Sequence, residues 1–326
     1  MLNPKVSVLI PAYNYAQYLP EAIDSVLEQT FENFELIIVD NCSTDNTEEI
    51  VNAYAKHDPR VKFIRNQENI GMYRNYNQSL LLATGDYIKF LNADDKFEPT
   101  LLEKFVTIFE NNPTVSVVTS YRQYFGSKTE ILKPPHTGLI EAKTAILSSL
   151  RHGNWIGEPT TVMFRRSNLN LGLFDISILM FADQDMWLRH LRVGNLYVID
   201  EVLSYFRIHE EQGTCQLNSD LDKRYFNILQ YAEYRRNVIL NHRFGYDLYA
   251  TDTAQSKKIL NNALKSIFKL IEKKPTNTSD ALRYLYRFRT VIQTLRILIT
   301  PRFLLSFFDT INTTRKKIKS YILRKK

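Results

Sequence analysis

The 326-residue sequence predicts an α/β domain with a mainly parallel sheet flanked by helices, continued by a helical C-terminal extension. Short, unbroken apolar runs rich in β-branched residues recur through residues 1–120. A stretch with helical spacing follows each of the first four. The runs do not alternate apolar with polar, which is the pattern of strands buried on both faces of a parallel sheet.

Residues 6–10 (VSVLI) form the first strand, and Leu19, Ala22, Ile23, Val26 and Leu27 then recur at helical spacing. Residues 35–39 (ELIIV) are the second strand. The segment NCSTDNTEE after it is rich in N-cap residues, with Asp45 and Glu48 at capping-box spacing ahead of Ile50, Val51 and Tyr54. Residues 61–65 (VKFIR) read as a third strand with its helix at 73–83, and 87–91 (YIKFL) as a fourth. A helix at 99–109 follows with Pro99 at its first position, then a fifth strand at 115–119. Beyond residue 150 the pattern loosens to a strand at 160–164, a helix at 183–192 and strands near 196–199 and 203–208. From about residue 219 the character is helical. The expected organisation is a main domain over 1–215, a helical extension over 216–295 and a basic amphipathic tail over 296–326.

Composition removes several classes. A chain 44% hydrophobic and 24% charged folds around a core. Two cysteines, Cys42 and Cys215, far apart and without zinc-ligand spacing, exclude a disulfide scaffold and fit a reducing, cytoplasmic setting. The net charge of +7 is not spread evenly: residues 296–326 hold nine bases and one acid, so the rest sums to −1. A near-neutral body excludes a broad nucleic-acid face. The N-terminal apolar run is cut by Pro11, too short for a signal-peptide core. The longest apolar stretch, 291–308, is broken by Gln293, Arg296, Pro301 and Arg302, short of the roughly 20 residues a span needs. The tail's mixed apolar and basic residues suit either peripheral contact with an anionic membrane or a helix docked on the body.

Ligands of parallel α/β sheets sit at the carboxyl ends of the strands. That rule selects three loops, PAYN, DNCSTD and NADD. In NADD, Asp94 and Asp95 are adjacent carboxylates, which suit Mg2+ or Mn2+ shared with substrate phosphates, or else form a solvated acidic turn. Asp40 is either a cap for the turn after its strand or an acceptor for a base or ribose.

In order and spacing, VSVLIPAYN, ELIIVDNCSTDNT and RNQENIGMYRNYNQSLLLATGDYIKFLNADD resemble the family-two inverting glycosyltransferases of the GT-A fold, a Rossmann-like fold for nucleotide-diphospho-sugars. The resemblance covers about residues 5–210 and adds what the residues alone do not give, a sugar. It implies that Pro11, Ala12, Tyr13 and Asn14 form the first donor loop. Asp40 is implied to hydrogen-bond the base, usually uracil, and Arg74 to lie near the nucleotide. Asp94 and Asp95 resemble the DXD-type acids, Asp94 at the ribose and Asp95 on the metal, with Asn92 standing where the family often has an acid. FADQDMWLRHLRVG resembles the family's late motif, placing the general base on Asp183, with Ala182 where a Glu is usual. The helix N-cap is the other role for Asp183, one it can fill at the same time. SYFRIHEEQGT resembles the segment closing the donor site, implying that His209 reaches the metal or diphosphate, with Arg207 in support. WIGEPTTVMFRR resembles the acceptor-side loop, implicating Trp155, Gly157 and Glu158, with Trp155 either a sugar platform or a core aromatic.

The implied reaction moves a sugar from a nucleotide-sugar donor, a UDP-sugar, to a glycan or lipid-linked glycan in polysaccharide synthesis, with Mn2+ or Mg2+ as cofactor. Two rivals are weighed. A non-catalytic protein on a decayed scaffold is disfavoured by the retained Asp40, Asp94, Asp95 and Asp183. A nucleotidyltransferase making nucleotide-sugars is disfavoured because the first loop lacks that class's glycine-rich basic sequence.

Overall fold

In the computed structural model, residues 4–178, 181–209 and 212 are described. The expected extension at 216–295 and tail at 296–326 lie outside them. The first half follows the predicted rhythm: β1 (Val6–Ala12), α1 (Leu19–Leu27), β2 (Phe34–Asp40), α2 (Thr47–His57), β3 (Val61–Arg65), α3 (Met72–Leu82) and β4 (Tyr87–Phe90). A two-residue β5 (Lys96–Phe97), α4 (Leu101–Asn111) and β6 (Val115–Gly126) complete it. The second half adds β7 (Glu130–Leu132), β8 (Gly138–Ile140), α5 (Ala142–His152), β9 (Met163–Arg165), α6 (Ala182–His190) and β10 (Asn195–Ile208).

One sheet runs in the order β3-β2-β1-β4-β9-β6-β10-β5, with β7 beside β6 and β8 beside β10. The first four strands are parallel; Val6 pairs with Phe34 and with Tyr87, and Ala12 with Asp40. Between β4 and β6 the three-residue β9 runs antiparallel to both. Alternate residues of the apolar runs pack on opposite faces. Leu9, Ile37, Val39, Ile88 and Phe90 join a core with Trp187 and Met186 of α6, whereas Val8, Ile10, Leu36 and Ile38 join Leu19, Ile23 and Val26 of α1 and Phe105 of α4.

Four local expectations shift. The strand expected at 160–164 shrinks to β9, because Pro159, lacking an N–H for a ladder, turns residues Pro159–Thr161 into a single 3-10 turn. The two strands expected near 196–208 are one, kinked by register shifts that leave Asp200 and Glu201 exposed. The helix expected from Pro99 begins at Leu101. The capping box does not form, since Asp45 is drawn off to Thr47 and to the amide of Ala16, and Glu48 pairs with Arg65.

Candidate functional site

The carboxyl ends of β1 and β2 carry two loops that are stitched together. The Asn41 amide donates to the Ala12 carbonyl at 2.9 Å, and the Asn14 amide to Ser43 Oγ at 2.9 Å. The Thr44 amide donates to Asn14 Oδ1 at 2.8 Å and that of Ala16 to Asp45 Oδ2 at 3.0 Å. Asn14 sits at φ 54°, a left-handed conformation asparagine tolerates well. Asp40, fully buried, accepts from the Ser43 amide at 3.0 and 3.2 Å and from the Ser43 hydroxyl at 2.5 Å, with Arg65 Nε 3.5 Å away. The cap role read for Asp40 is thus present. Tyr13 is exposed beside it, Pro11 and Ala12 are held in the sheet, and Arg74 lies exposed in the first turn of α3. A lattice of Asn41, Asn66, Asn69 and Asn75 fixes the loops after β2 and β3, ending on the Val39 carbonyl, which Asn75 Nδ2 reaches at 2.9 Å. The sequence reading passed over these asparagines, although their density in RNQENIGMYRN is a visible signal.

After β4 the two acids point into different surroundings. Asp94 Oδ2 lies 3.0 Å from His209 Nε2 and 3.4 Å from Gln212 Nε2. Asp95 turns inward, where its oxygens accept from the Arg207 amide at 2.9 Å, Thr160 Oγ1 at 2.5 Å and Asn92 Nδ2 at 3.1 Å. Burial, reinforced by the neighbouring Asp94, pushes the Asp95 carboxyl well up. Arg207 Nε donates to the Asp94 carbonyl at 2.8 Å, and its guanidinium lies over the rings of Tyr18 and Phe125. The expectation put Asp95 on the metal and Asp94 at the ribose; the carboxylate next to His209 is that of Asp94.

Asp94 Oδ2 and His209 Nε2 are joined directly by a hydrogen bond at 3.0 Å, which keeps the two potential donor atoms side by side. No group of three His, Cys, Asp or Glu side chains among the described residues is arranged for an ion. Two protein donors with the other positions left to phosphate and water is a usual arrangement for such cations. Asp94 and His209 are thus donors of a kind a divalent cation can take alongside phosphate oxygens, while the described residues alone form no complete cation site.

Asp183 lies in the first turn of α6, whose N-cap is Phe181, so the N-cap role is not realised. The Gln184 amide donates to Asp183 Oδ1 at 2.7 Å and Asn154 Nδ2 to Oδ2 at 2.8 Å. Burial pushes its carboxyl up to about 7, and the Glu158 charge adds to the rise. Ala182 beside it is fully buried in the core. Asp185, also buried, forms an ion pair with Arg189 at 2.8 Å, and Arg189 binds the carbonyls of Leu171, Gly172 and Leu173, a structural clasp.

The acceptor-side loop is resolved residue by residue. Trp155 is nine-tenths buried in the core, edge-on to His136, so the sugar-platform reading gives way to the core aromatic. Gly157 sits at φ +125°, where an added Cβ would come 2.9 Å from Thr161 Cβ, and its carbonyl accepts Trp187 Nε1 at 2.9 Å. Glu158 Oε1 is 3.0 Å from Arg122 Nε and accepts from Thr161 Oγ1 at 3.0 Å. Lys89, buried between the rings of Phe97 and Phe105, donates to the Thr160 and Val162 carbonyls, and burial pushes its pKa well down. Tyr76 donates to Asn92 Oδ1 at 2.6 Å. Lys89 was legible as a lone charge in YIKFL; Asn154, Thr160 and Tyr76 carried no sequence signal.

The family model described as glycosyl transferase family 2 matches residues 7–172. An uncharacterised glycosyltransferase of Rickettsia typhi is 34% identical over 230 residues, covering 68% of this chain and 69% of that one. Among solved structures, residues 1–349 of S. aureus TarS in complex with UDP-GlcNAc align with a TM-score of 0.64 at 20% identity, covering 90% of this chain and 82% of that one. The mannosyltransferase PcManGT of Pyrobaculum calidifontis, in complex with GDP-Man and Mn2+, aligns with a TM-score of 0.52 at 18% identity, covering 91% and 86%. The fold is the GT-A fold that the motifs implied.

Proposed function

The chain belongs to glycosyl transferase family 2, and on that premise we propose that it transfers a hexose or N-acetylhexosamine from a UDP-sugar, with inversion, to a hydroxyl of a glycan or lipid-linked glycan in cell-surface polysaccharide synthesis. One observation carries the reading: the carboxyl ends of β2 and β4 hold Asp40 and Asp94, the end of β10 brings His209 to Asp94, and the same fold supplies Asp183, a carboxyl group pushed up to about 7. That TarS is described with UDP-GlcNAc and PcManGT with GDP-Man and Mn2+ supports a nucleotide-sugar donor and a divalent cation.

Asp183 takes the proton of the acceptor hydroxyl as its oxygen attacks the anomeric carbon. A base whose pKa lies near working pH is both unprotonated and strong enough to accept, which contributes about 10²–10⁴-fold. Asp40 receives hydrogen bonds from the base or ribose, the 11–14 loop frames the nucleotide, and the exposed guanidinium of Arg74 meets phosphate charge. Asp94 and His209 would hold Mn2+ or Mg2+, which supplies charge neutralisation for the departing diphosphate. Asp95 keeps the backbone of Arg207 and the hydroxyl of Thr160 in place behind that pair. On the acceptor side Glu158 presents a carboxylate, while Trp155 and Gly157 shape the loop from within.

The test is a thermal-shift screen of the full chain against UDP- and GDP-sugars with and without Mn2+ or Mg2+, followed by detection of released nucleoside diphosphate. A UDP-sugar with cation raises the melting temperature by binding the folded state; a screen in which no nucleotide-sugar does so defeats the proposal. No helix among the described residues is long and apolar enough to cross a membrane. We assign the basic 296–326 segment to peripheral contact with anionic lipid. Equal sedimentation with anionic vesicles by the full chain and a chain ending at Pro301 would remove that assignment.

A further inference from the structure

We infer that Asn154 is a positioning residue for the base: its side-chain amide couples the loop at 153–158 to the carboxylate of Asp183 and holds that carboxylate in the form that accepts a proton. The inference rests on the reading of Asp183 proposed above.

Asn154 Nδ2 donates to Asp183 Oδ2 at 2.8 Å and to the Gly157 carbonyl at 3.1 Å, while the Gly157 amide donates to Asn154 Oδ1 at 3.4 Å. This set fixes which way the amide faces, because a flipped Asn154 would turn its oxygen against both the carboxylate and the carbonyl. The Gly157 carbonyl also accepts Trp187 Nε1 at 2.9 Å, from a residue one turn beyond Asp183 on α6. The loop is therefore fastened to α6 at two points, and Asn154 cannot leave Asp183 without disturbing Gly157. Gly157 has little freedom of its own, with φ at +125° and Thr161 packed where a Cβ would stand. The same loop continues through Glu158 to Thr160, whose hydroxyl holds Asp95.

The other hydrogen bonds to the Asp183 carboxylate come from backbone amides of its own helix, those of Gln184 and of Asp183 itself. The ionisable groups acting on Asp183 are Glu158 from the loop and Tyr73 and Tyr76 from α3. Glu158 opposes ionisation, and burial pushes both phenols up so that they carry no charge at neutral pH. A donor to the charged form of Asp183 favours it, and Asn154 is the side chain that supplies one.

The experiment is an NMR pH titration of the full chain labelled with ¹³C at the aspartate carboxyl, with Asp183 assigned by the resonance missing in Asp183→Asn. Wild type is expected to titrate near pH 7. Asn154→Leu, close in shape but without the donor, moves the midpoint up by about one pH unit. Asn154→Asp, which keeps the shape and needs no repacking, places a second carboxylate against the first and moves it up further. A midpoint unchanged in both variants overturns the inference. The reading of Asp183 fails separately, if Asp183→Asn still transfers sugar at the wild-type rate, so the two failures are told apart.

Discussion

Replacing Asp183 with asparagine is expected to remove transfer and to stabilise the protein, by an amount that depends on pH. The folded carboxyl titrates at about 7, whereas an unfolded one titrates near 3.9. Between those values the folded chain holds a proton that the unfolded chain has lost, so stability falls as pH rises and the loss is complete above pH 7. A rise of about three pH units corresponds to about 4 kcal/mol at pH 8, and to only about 1.5 kcal/mol at pH 5. Asparagine abolishes this cost. It also brings one of its own, because its single oxygen cannot accept from both the Gln184 amide and Asn154 Nδ2. That lost acceptor costs about 1–2 kcal/mol at either pH. The net effect is near zero at pH 5 and a gain of about 2–3 kcal/mol at pH 8, or roughly 5 °C in melting temperature. Scanning calorimetry of both proteins at the two pH values, with release of nucleoside diphosphate followed at pH 8, reads both consequences. A melting-temperature difference that is the same at both pH values refutes the argument about burial.

Further outcomes follow from the same geometry. The kcat/KM of wild type should rise with pH and level off above about 7, as Asp183 loses its proton, and a profile flat from pH 5 to 8 contradicts that. Asp94→Asn and His209→Ala should each abolish the extra thermal stabilisation that Mn2+ gives with UDP, read as the difference between melting temperatures with and without the two ligands. Asp95→Ala should instead lower the free protein's stability by about 2–4 kcal/mol in denaturant unfolding, because it strands Thr160, Asn92 and the Arg207 amide. Gly157→Ala should cost about 2 kcal/mol or more by the same measure, from a left-handed φ and the clash with Thr161.

The nucleotide half of the molecule was legible because its signals are local. VSVLI and ELIIV announce buried strands without reference to anything distant, and a parallel sheet delivers the loops after them to one end. The order of residues in NADD located the two acids but not which of them meets His209, because that depends on β10, whose ladder brings residues 207–209 back across about 110 residues of chain. Trp155 shows the same limit: an aromatic in a loop looks available until the packing around His136 is known. The short β5, β7 and β8 were invisible, since two or three residues carry no period. Asn154 and Thr160 act through hydrogen bonds to residues 29 and 65 positions away, and their own neighbours in sequence say nothing of them.

The three-residue strand β9 has a consequence for how the molecule holds together. Strands β1 to β4 pair with one another within residues 6–90, and β6 with β10 form a second ribbon. Among the described residues, the two halves meet on the sheet path only through β9. β9 pairs residues 163–165 with 87–89 on one side and residues 163–164 with 117–118 on the other, so the join is narrow. The turn just before it carries Thr160 and, through it, the setting of Asp95. The join between the halves and the setting of Asp95 thus rest on one short stretch, so a substitution that loosens residues 159–165 disturbs both together.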